Sequence, residues 1–221
     1  MTRLLVLRPE PGATATVEKA RALGLDAVAI PLFTVEPVEW KAPDAAGFDG
    51  LLLTSANAMR ISGEAVRALR GLPAYTVGTA TAEAARGAGF NIAAIGDAGV
   101  DRLLGSIEPD LKLLHLCGAD LREPEDAKQE ITRVTVYRAA AVHAPDLSGA
   151  RGSVALIHSP RAGCRFAELV KDRGTISIVA ISEAAATAAG AGWRAVETTE
   201  QHTDEALLAL AAMLCEKPDP K

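Results

Sequence analysis

The chain repeats itself, and the repeat limits what it can fold into more than any other feature. Leu51-Leu52-Leu53-Thr54-Ser55 recurs 104 positions later as Ala155-Leu156-Ile157-His158-Ser159. At the same offset Tyr75-Thr76-Val77-Gly78 lines up with Val179-Ala180-Ile181-Ser182. After one residue of slippage Arg86-Gly87-Ala88-Gly89-Phe90 matches Ala189-Gly190-Ala191-Gly192-Trp193, and Asp101 matches Asp204, each opening a helix. A supersecondary pattern that occurs twice predicts two equivalent halves rather than one large sheet.

Short apolar runs define the strands: Leu4–Leu7, Ala27–Ile30, Leu51–Leu53, Ala74–Val77, Ile92–Ile95, Leu111–Leu116, Val134–Ala141, Val154–Ile157, Ile176–Ile181 and Ala195–Val196. Most are separated by Ala-rich stretches of helical character, and this alternation predicts parallel α/β construction. The clearest helix spans about Thr203 to Leu214: Ala206, Leu207, Leu210, Ala211 and Leu214 share a face, and Thr203-Asp204-Glu205 supplies a cap and an acidic first turn. Leu32–Val38 and Arg133–Ala141 are extended, β-branched segments about 100 residues apart. The chain is thus expected to leave a first domain, build a second and return, with these segments paired as a two-stranded antiparallel ribbon. A ribbon of two strands is marginal alone and would make a hinge about which the domains move. The expected boundaries are residues 1–34 and 142–221 for a discontinuous first domain, 38–133 for an inserted second one, and 35–37 with 134–141 for the ribbon. The tail from Lys217 to Lys221 is expected to fray.

Composition removes several function classes. With 221 residues, 49% of them hydrophobic, the chain can bury a core in each of two domains. No segment approaches the roughly 18–20 apolar residues of a membrane helix. Leu4–Leu7 is too short for a signal-peptide core, because it stops at Arg8-Pro9. Cys117, Cys164 and Cys215 are odd in number and far apart. A disulfide framework or a zinc site is therefore not expected, and a reducing, cytoplasmic setting is. A net charge of −5 argues against a nucleic-acid partner. Neither a cofactor nor a metal is expected.

Ser or Thr falls at four strand-to-helix junctions: Thr54-Ser55, Thr79, Ser159 and Ser182. Each can cap its helix, and Ser159-Pro160 shows a cap followed by proline at the first helical position. In open α/β sheets ligands bind outside the C-terminal strand ends, where helix N-termini offer amides to anions. Four such ends facing one cleft would hold several carboxylates without a lysine or arginine cluster. Other motifs fail. Gly87-Ala88-Gly89 begins like a dinucleotide fingerprint but reads as a helix stop, since position 92 is Ile. There is no phosphate loop and no Gly-x-Ser-x-Gly elbow. His115, His143, His158 and His202 show no metal spacing, and His115 and His158 sit in apolar runs. Tyr137, on the return strand of the ribbon, could pack or face the cleft.

The ordered set of motifs resembles the uroporphyrinogen-III synthase family over nearly the whole chain. Leu7-Arg8-Pro9 and Ile30-Pro31-Leu32-Phe33 look like that family's opening. Leu53-Thr54-Ser55-Ala56-Asn57-Ala58 is similar to its Phe-Thr-Ser-x-Asn-Ala/Gly segment, and Val77-Gly78-Thr79-Ala80-Thr81-Ala82 to its Val-Gly-x-x-Thr-Ala. Val134-Thr135-Val136-Tyr137-Arg138 resembles its Val-Tyr-Arg strand; Ile157-His158-Ser159-Pro160 and Asp204–Leu207 complete the order. The resemblance implies two α/β domains, each a parallel sheet flanked by helices, bridged by the ribbon, with the active-site cleft between them. It implies a monomeric lyase that cyclises hydroxymethylbilane, an anionic tetrapyrrole, with inversion of ring D. By position, Arg8, Thr54, Ser55, Asn57, Gly78, Thr79, Thr81, Ser159 and Ser182 would bind substrate, and Tyr137 would be the acid for the departing hydroxyl. Two departures stand out. Ser182-Glu183-Ala184-Ala185-Ala186 replaces the family's Gly-Pro-Thr-Thr-Ala, and Gly118–Arg133 is shorter and more acidic, with Arg122 keeping part of the pattern. The changes at Glu183 and Ala184 are the main support for a rival reading, a non-catalytic two-domain binding or sensor protein for an anionic ligand. A nucleotide-binding enzyme is a second rival, and it lacks a phosphate loop.

Overall fold

The computed structural model describes residues 2–97, 99–121 and 123–216; the tail at 217–221 and Arg122 lie outside the described residues. The elements in chain order are β1 (Leu4–Val6), α1 (Gly12–Ala22), β2 (Ala27–Ala29), β3 (Phe33–Pro37), β4 (Gly50–Leu53), α2 (Ala56–Ile61), β5 (Ala74–Val77), α3 (Thr79–Gly87), β6 (Ile92–Gly96) and α4 (Val100–Gly105). There follow β7 (Lys112–Gly118), β8 (Glu130–Ala141), β9 (Val154–Ile157), α5 (Pro160–Leu169), β10 (Ser177–Ala180), α6 (Glu183–Ala189), β11 (Ala195–Thr198) and α7 (Asp204–Glu216). Two compact units result, Met1–Thr34 with Ala141–Lys221, and Val35–Ala140. Each holds a mostly parallel sheet flanked by helices.

In the first unit the sheet order is β11-β10-β9-β1-β2, every pair parallel. All residues of β1, β9 and β10 are buried, as continuous apolar strands are when helices cover both faces. Leu4, Val6, Val154, Leu156 and Val179 pack with Val17 and Ala20 of α1 and Leu207 and Ala211 of α7. Across the sheet, α5 and α6 approach closely because Gly163 has no side chain: a Cβ there would lie 2.7 Å from the Ala185 carbonyl oxygen. Phe166 and Trp193 stack beside this crossing with centroids 5.2 Å apart.

In the second unit the order is β3-β8-β7-β4-β5-β6. Leu51, Leu53, Leu114, Leu116 and Val136 line one face with Met59 of α2 and Ala85 of α3. Leu52 and Leu113 line the other with Leu103 and Leu104 of α4. The repeat is visible in the topology. Strands β8-β7-β4-β5-β6 stand in the same parallel order as β2-β1-β9-β10-β11, so the sheets are cyclic permutations of one pattern.

Local chemistry explains the helix starts. Ser55, Ser159 and Ser182 accept hydrogen bonds from the amides of Asn57, Ala162 and Ala185, at 3.2, 3.2 and 3.3 Å, and Thr203 caps α7 through the amide of Ala206. Thr79 departs from expectation: Gly78 holds the cap position, no side chain caps α3, and Thr79 is its first helical residue. The ribbon also differs in its support. Hydrogen bonds from Val38 to Val136 and from Val142 to Leu32 show β3 and β8 running antiparallel. Strand β8 begins earlier than the apolar run suggested, however, and pairs in parallel with β7 from Lys112↔Glu130 to Gly118↔Tyr137. The ribbon therefore grows out of a sheet, which removes the marginality of two isolated strands.

Candidate functional site

Parallel strands bring their C-terminal ends to one edge, and the predicted residues collect there. In the second unit the sheet order places Tyr137 on β8, Gly118 ending β7, Thr54-Ser55 following β4, and Gly78-Thr79 following β5 in succession. Neighbouring strands are separated by about 4.8 Å, so this row spans a few strand widths.

Tyr137 is placed by two features that no local pattern announces. A register shift between Cys117 and Gly118 puts Gly118 opposite Tyr137 instead of Val136, and such a bulge re-aims the side chain that follows it. The half-buried ring then lies against the Gly118 backbone, where a Cβ would sit 2.6 Å from Tyr137 Cε2 and 3.0 Å from the hydroxyl oxygen. Only glycine permits that approach.

The helix starts differ in how many amides their caps leave unpaired. Gly78 adopts φ +82°, a conformation other residues resist, and its amide is already donated to the Gly96 carbonyl at 2.8 Å. Because no side chain caps α3, the amides of Thr79, Ala80 and Thr81 are the orphan donors of that first turn. Thr79 itself is exposed, whereas the Thr81 side chain faces inward at 5% exposure. At α2 the Ser55 hydroxyl already takes the Asn57 amide; the Asn57 side chain is half-buried. Helices α2 and α6 are only 6 and 7 residues long, so their dipoles are weak beside those of α3 and α5.

Thr54 has a partner that sequence reading set aside. His115, on β7 opposite Leu52 of β4, is 1% exposed, and its Nε2 lies 3.0 Å from Thr54 Oγ1. The other ring nitrogen, Nδ1, is buried without a partner. Burial, with a smaller contribution from the charge of Arg133, pushes the imidazole pKa down to about 4. The clue in the sequence was a histidine inside an apolar strand, which must be satisfied by something nearby.

In the first unit Arg8 follows β1, His158-Ser159 follows β9 and Ser182 follows β10, again along one edge. Arg8 is committed: its Nη1 donates to Asp204 Oδ1 at 2.8 Å, through space left by Gly12. Thr16 donates to Asp204 Oδ2 at 2.8 Å. His158 Nε2 lies 3.2 Å from Oδ1, without hydrogen-bond alignment. Burial alone would raise the Asp204 pKa; His158, the Thr16 hydroxyl and the Arg8 guanidinium outweigh it and hold the carboxyl well below its usual range. This cluster ties the start of α7 to α1, β1 and β9. Glu183, the suspected intruder on the anion site, accepts a hydrogen bond from the Thr198 hydroxyl at 2.6 Å. Ser159 and Ser182 are half-buried caps.

Among the described residues no group of three His, Cys, Asp or Glu side chains could hold a metal ion, and no helix is long and apolar enough to cross a membrane.

The fold has relatives of known structure. Uroporphyrinogen-III synthetase from Helicobacter pylori superposes with a TM-score of 0.66 at 17% identity, covering 97% of this chain and 100% of that one. A mutant uroporphyrinogen-III synthase from Thermus thermophilus gives a TM-score of 0.52 at 21% identity, covering 98% and 100%. These establish the shared fold. No curated protein matches the sequence. The family model of uroporphyrinogen-III synthase HemD, in contrast, matches residues 14–209. The chain therefore belongs to the uroporphyrinogen-III synthase family, enzymes of porphyrin and haem biosynthesis.

Proposed function

We propose that the protein closes hydroxymethylbilane to uroporphyrinogen III with inversion of ring D and release of water, a cyclising carbon–oxygen lyase reaction. The observation that carries this reading is the row along the sheet edge of the second unit. There a tyrosine hydroxyl is held against a glycine backbone, in line with Thr54, Ser55 and the uncapped first turn of α3. The hydroxyl of the bilane must take a proton to leave as water, and Tyr137 is the acid proposed for it. The substrate's carboxylates are assigned to the Thr54, Ser55 and Asn57 side chains, the amides from Thr79 to Thr81, and the caps at Ser159 and Ser182.

Two residues have narrower parts than position alone suggested. Arg8 acts through the Asp204 cluster that fixes α7, and Gly78 acts by shaping the turn that exposes the α3 amides. The rest of the work is orientation, because the terminal ring must be held so that attack falls on its substituted carbon. No concentrated cationic patch is needed for this. Helix amides and hydroxyls bind carboxylates directionally. The three free cysteines fit a reducing, cytoplasmic setting, and we assign a monomer with no nucleic-acid partner.

The test is direct. Freshly prepared hydroxymethylbilane is supplied, and the type III and type I porphyrins are separated after oxidation. An excess of type III over the enzyme-free control is expected. Its absence would leave a ligand-binding protein and remove the synthase reading.

A further inference from the structure

We propose that His115 is a positioning residue: it donates from Nε2 to Thr54 Oγ1 and thereby commits the Thr54 hydroxyl proton to a carboxylate of the substrate. The inference rests on the functional reading above and goes one shell deeper into the same site. Its basis is proton bookkeeping in a closed pocket. A neutral imidazole carries one N–H and one lone pair. His115 is 1% exposed, and Thr54 Oγ1, 3.0 Å from Nε2, is its one hydrogen-bond partner among the described residues. If the proton sat on Nδ1, a buried N–H would be stranded. With the proton on Nε2, only a lone pair goes unpaired, and buried orphan donors are rarer than under-satisfied acceptors. The tautomer is thereby set, and Nε2 is the donor.

A threonine hydroxyl has one proton to give. Where it accepts from His115, its own hydrogen cannot point back at the imidazole and turns toward the strand edge, where Ser55 and the α3 amides stand. Thr54 is half-buried, so that edge is open to it. The charged groups near the ring are few. Arg133, opposite His115 on β8, is exposed and paired with Glu123 at 3.4 Å, and the facing residue on β4 is Leu52. The lowered pKa agrees with a ring that stays neutral at physiological pH. Sequence alone would class Thr54 as a strand-end hydroxyl able to donate or accept; His115 makes it a one-way donor suited to anions.

The test uses the whole chain, with uroporphyrin III as the binding probe and hydroxymethylbilane as substrate. Nitrogen-15 spectra of the wild-type protein should show His115 as the Nε2–H tautomer; an Nδ1–H signal overturns the proposal without any variant. His115→Met removes the donor at similar size and frees the Thr54 hydroxyl to turn elsewhere, so probe binding should weaken and KM rise about threefold to tenfold, the usual effect of losing one hydrogen bond between neutral groups, with kcat changed less than about threefold. His115→Gln, which places an amide N–H near the Nε2 position, should recover most of the affinity. Thr54→Val should match His115→Met, and the double variant should be no worse than Thr54→Val alone. Additive losses, or unchanged binding in His115→Met, overturn the proposal. The two readings fail separately: wild-type protein that binds the probe in a His115-dependent way but forms no type III product refutes the reaction and keeps the positioning role.

Discussion

Tyr137 and Gly118 act as a pair, and the pair makes a sharper prediction than the tyrosine alone. General acid assistance contributes about 10²- to 10⁴-fold, so Tyr137→Phe should keep the fold and lower turnover at least tenfold. Gly118→Ala should do comparable damage without touching the hydroxyl, since its methyl would occupy the space of the ring. Steady-state rates with circular dichroism as a fold check decide this; wild-type turnover in Tyr137→Phe would take the hydroxyl out of the mechanism. Asp204 is the corresponding structural residue. Asp204→Asn leaves Arg8 with a neutral partner. Because the Arg8 side chain keeps 34% of its exposure, solvent softens the loss to about 1–3 kcal/mol, below that of a fully buried pair. Urea unfolding measures it. At this scale the sequence named Tyr137 and Arg8, but the Asp204 partner of Arg8 lies 196 positions away and leaves no local trace.

Individual elements carry the pH dependence. His115 on β7 has a folded pKa of about 4 against an ordinary 6.5, so on acidification the unfolded chain takes up the proton first. Its contribution is complete above about pH 6.5 and lost between there and about pH 4, with a slope approaching 1.4 kcal/mol per unit and a total of about 3 kcal/mol. Asp204 at the start of α7 has a lowered pKa, so its contribution is present above the ordinary carboxylate range and lost only below about pH 4. Urea titrations at several pH values should therefore show stability falling in two windows. His115→Gln should flatten the upper one and leave the lower; an unchanged upper window would mean another group is responsible. The helices tell a related story about legibility. Three of the four junction caps could be read from Ser followed by an Ala-rich stretch, since capping involves residues two or three apart. Thr79 could not, because the positive φ of Gly78 moved the helix start by one residue.

At the scale of the whole molecule, the units Met1–Thr34 with Ala141–Lys221 and Val35–Ala140 are proposed as independently folding domains. The inserted one can be tested alone, since both its ends lie on neighbouring strands. It owns a core on each sheet face, around Leu51, Leu53 and Leu114 and around Leu52 and Leu113. Residues 35–140 should unfold in one cooperative thermal transition with far-ultraviolet dichroism of an α/β protein. A broad transition with strong binding of a hydrophobic dye would instead show that the insert needs the rest of the chain.

What the amino-acid order determines unaided is local. Alternating apolar runs and Ala-rich stretches specify strand after helix, Ser specifies where helices begin, and repetition at an offset of 104 specifies that the pattern is built twice. These depend on neighbours within a turn or a strand, so they are written in short windows. Tertiary structure alone decided that β8 joins β7, that a bulge seats Tyr137 on Gly118, that His115 reaches Thr54 across 61 positions, and that Asp204 captures Arg8. Each of these joins residues whose separation in sequence carries no periodic signal, and each follows from which strands share an edge once both sheets have closed around their cores.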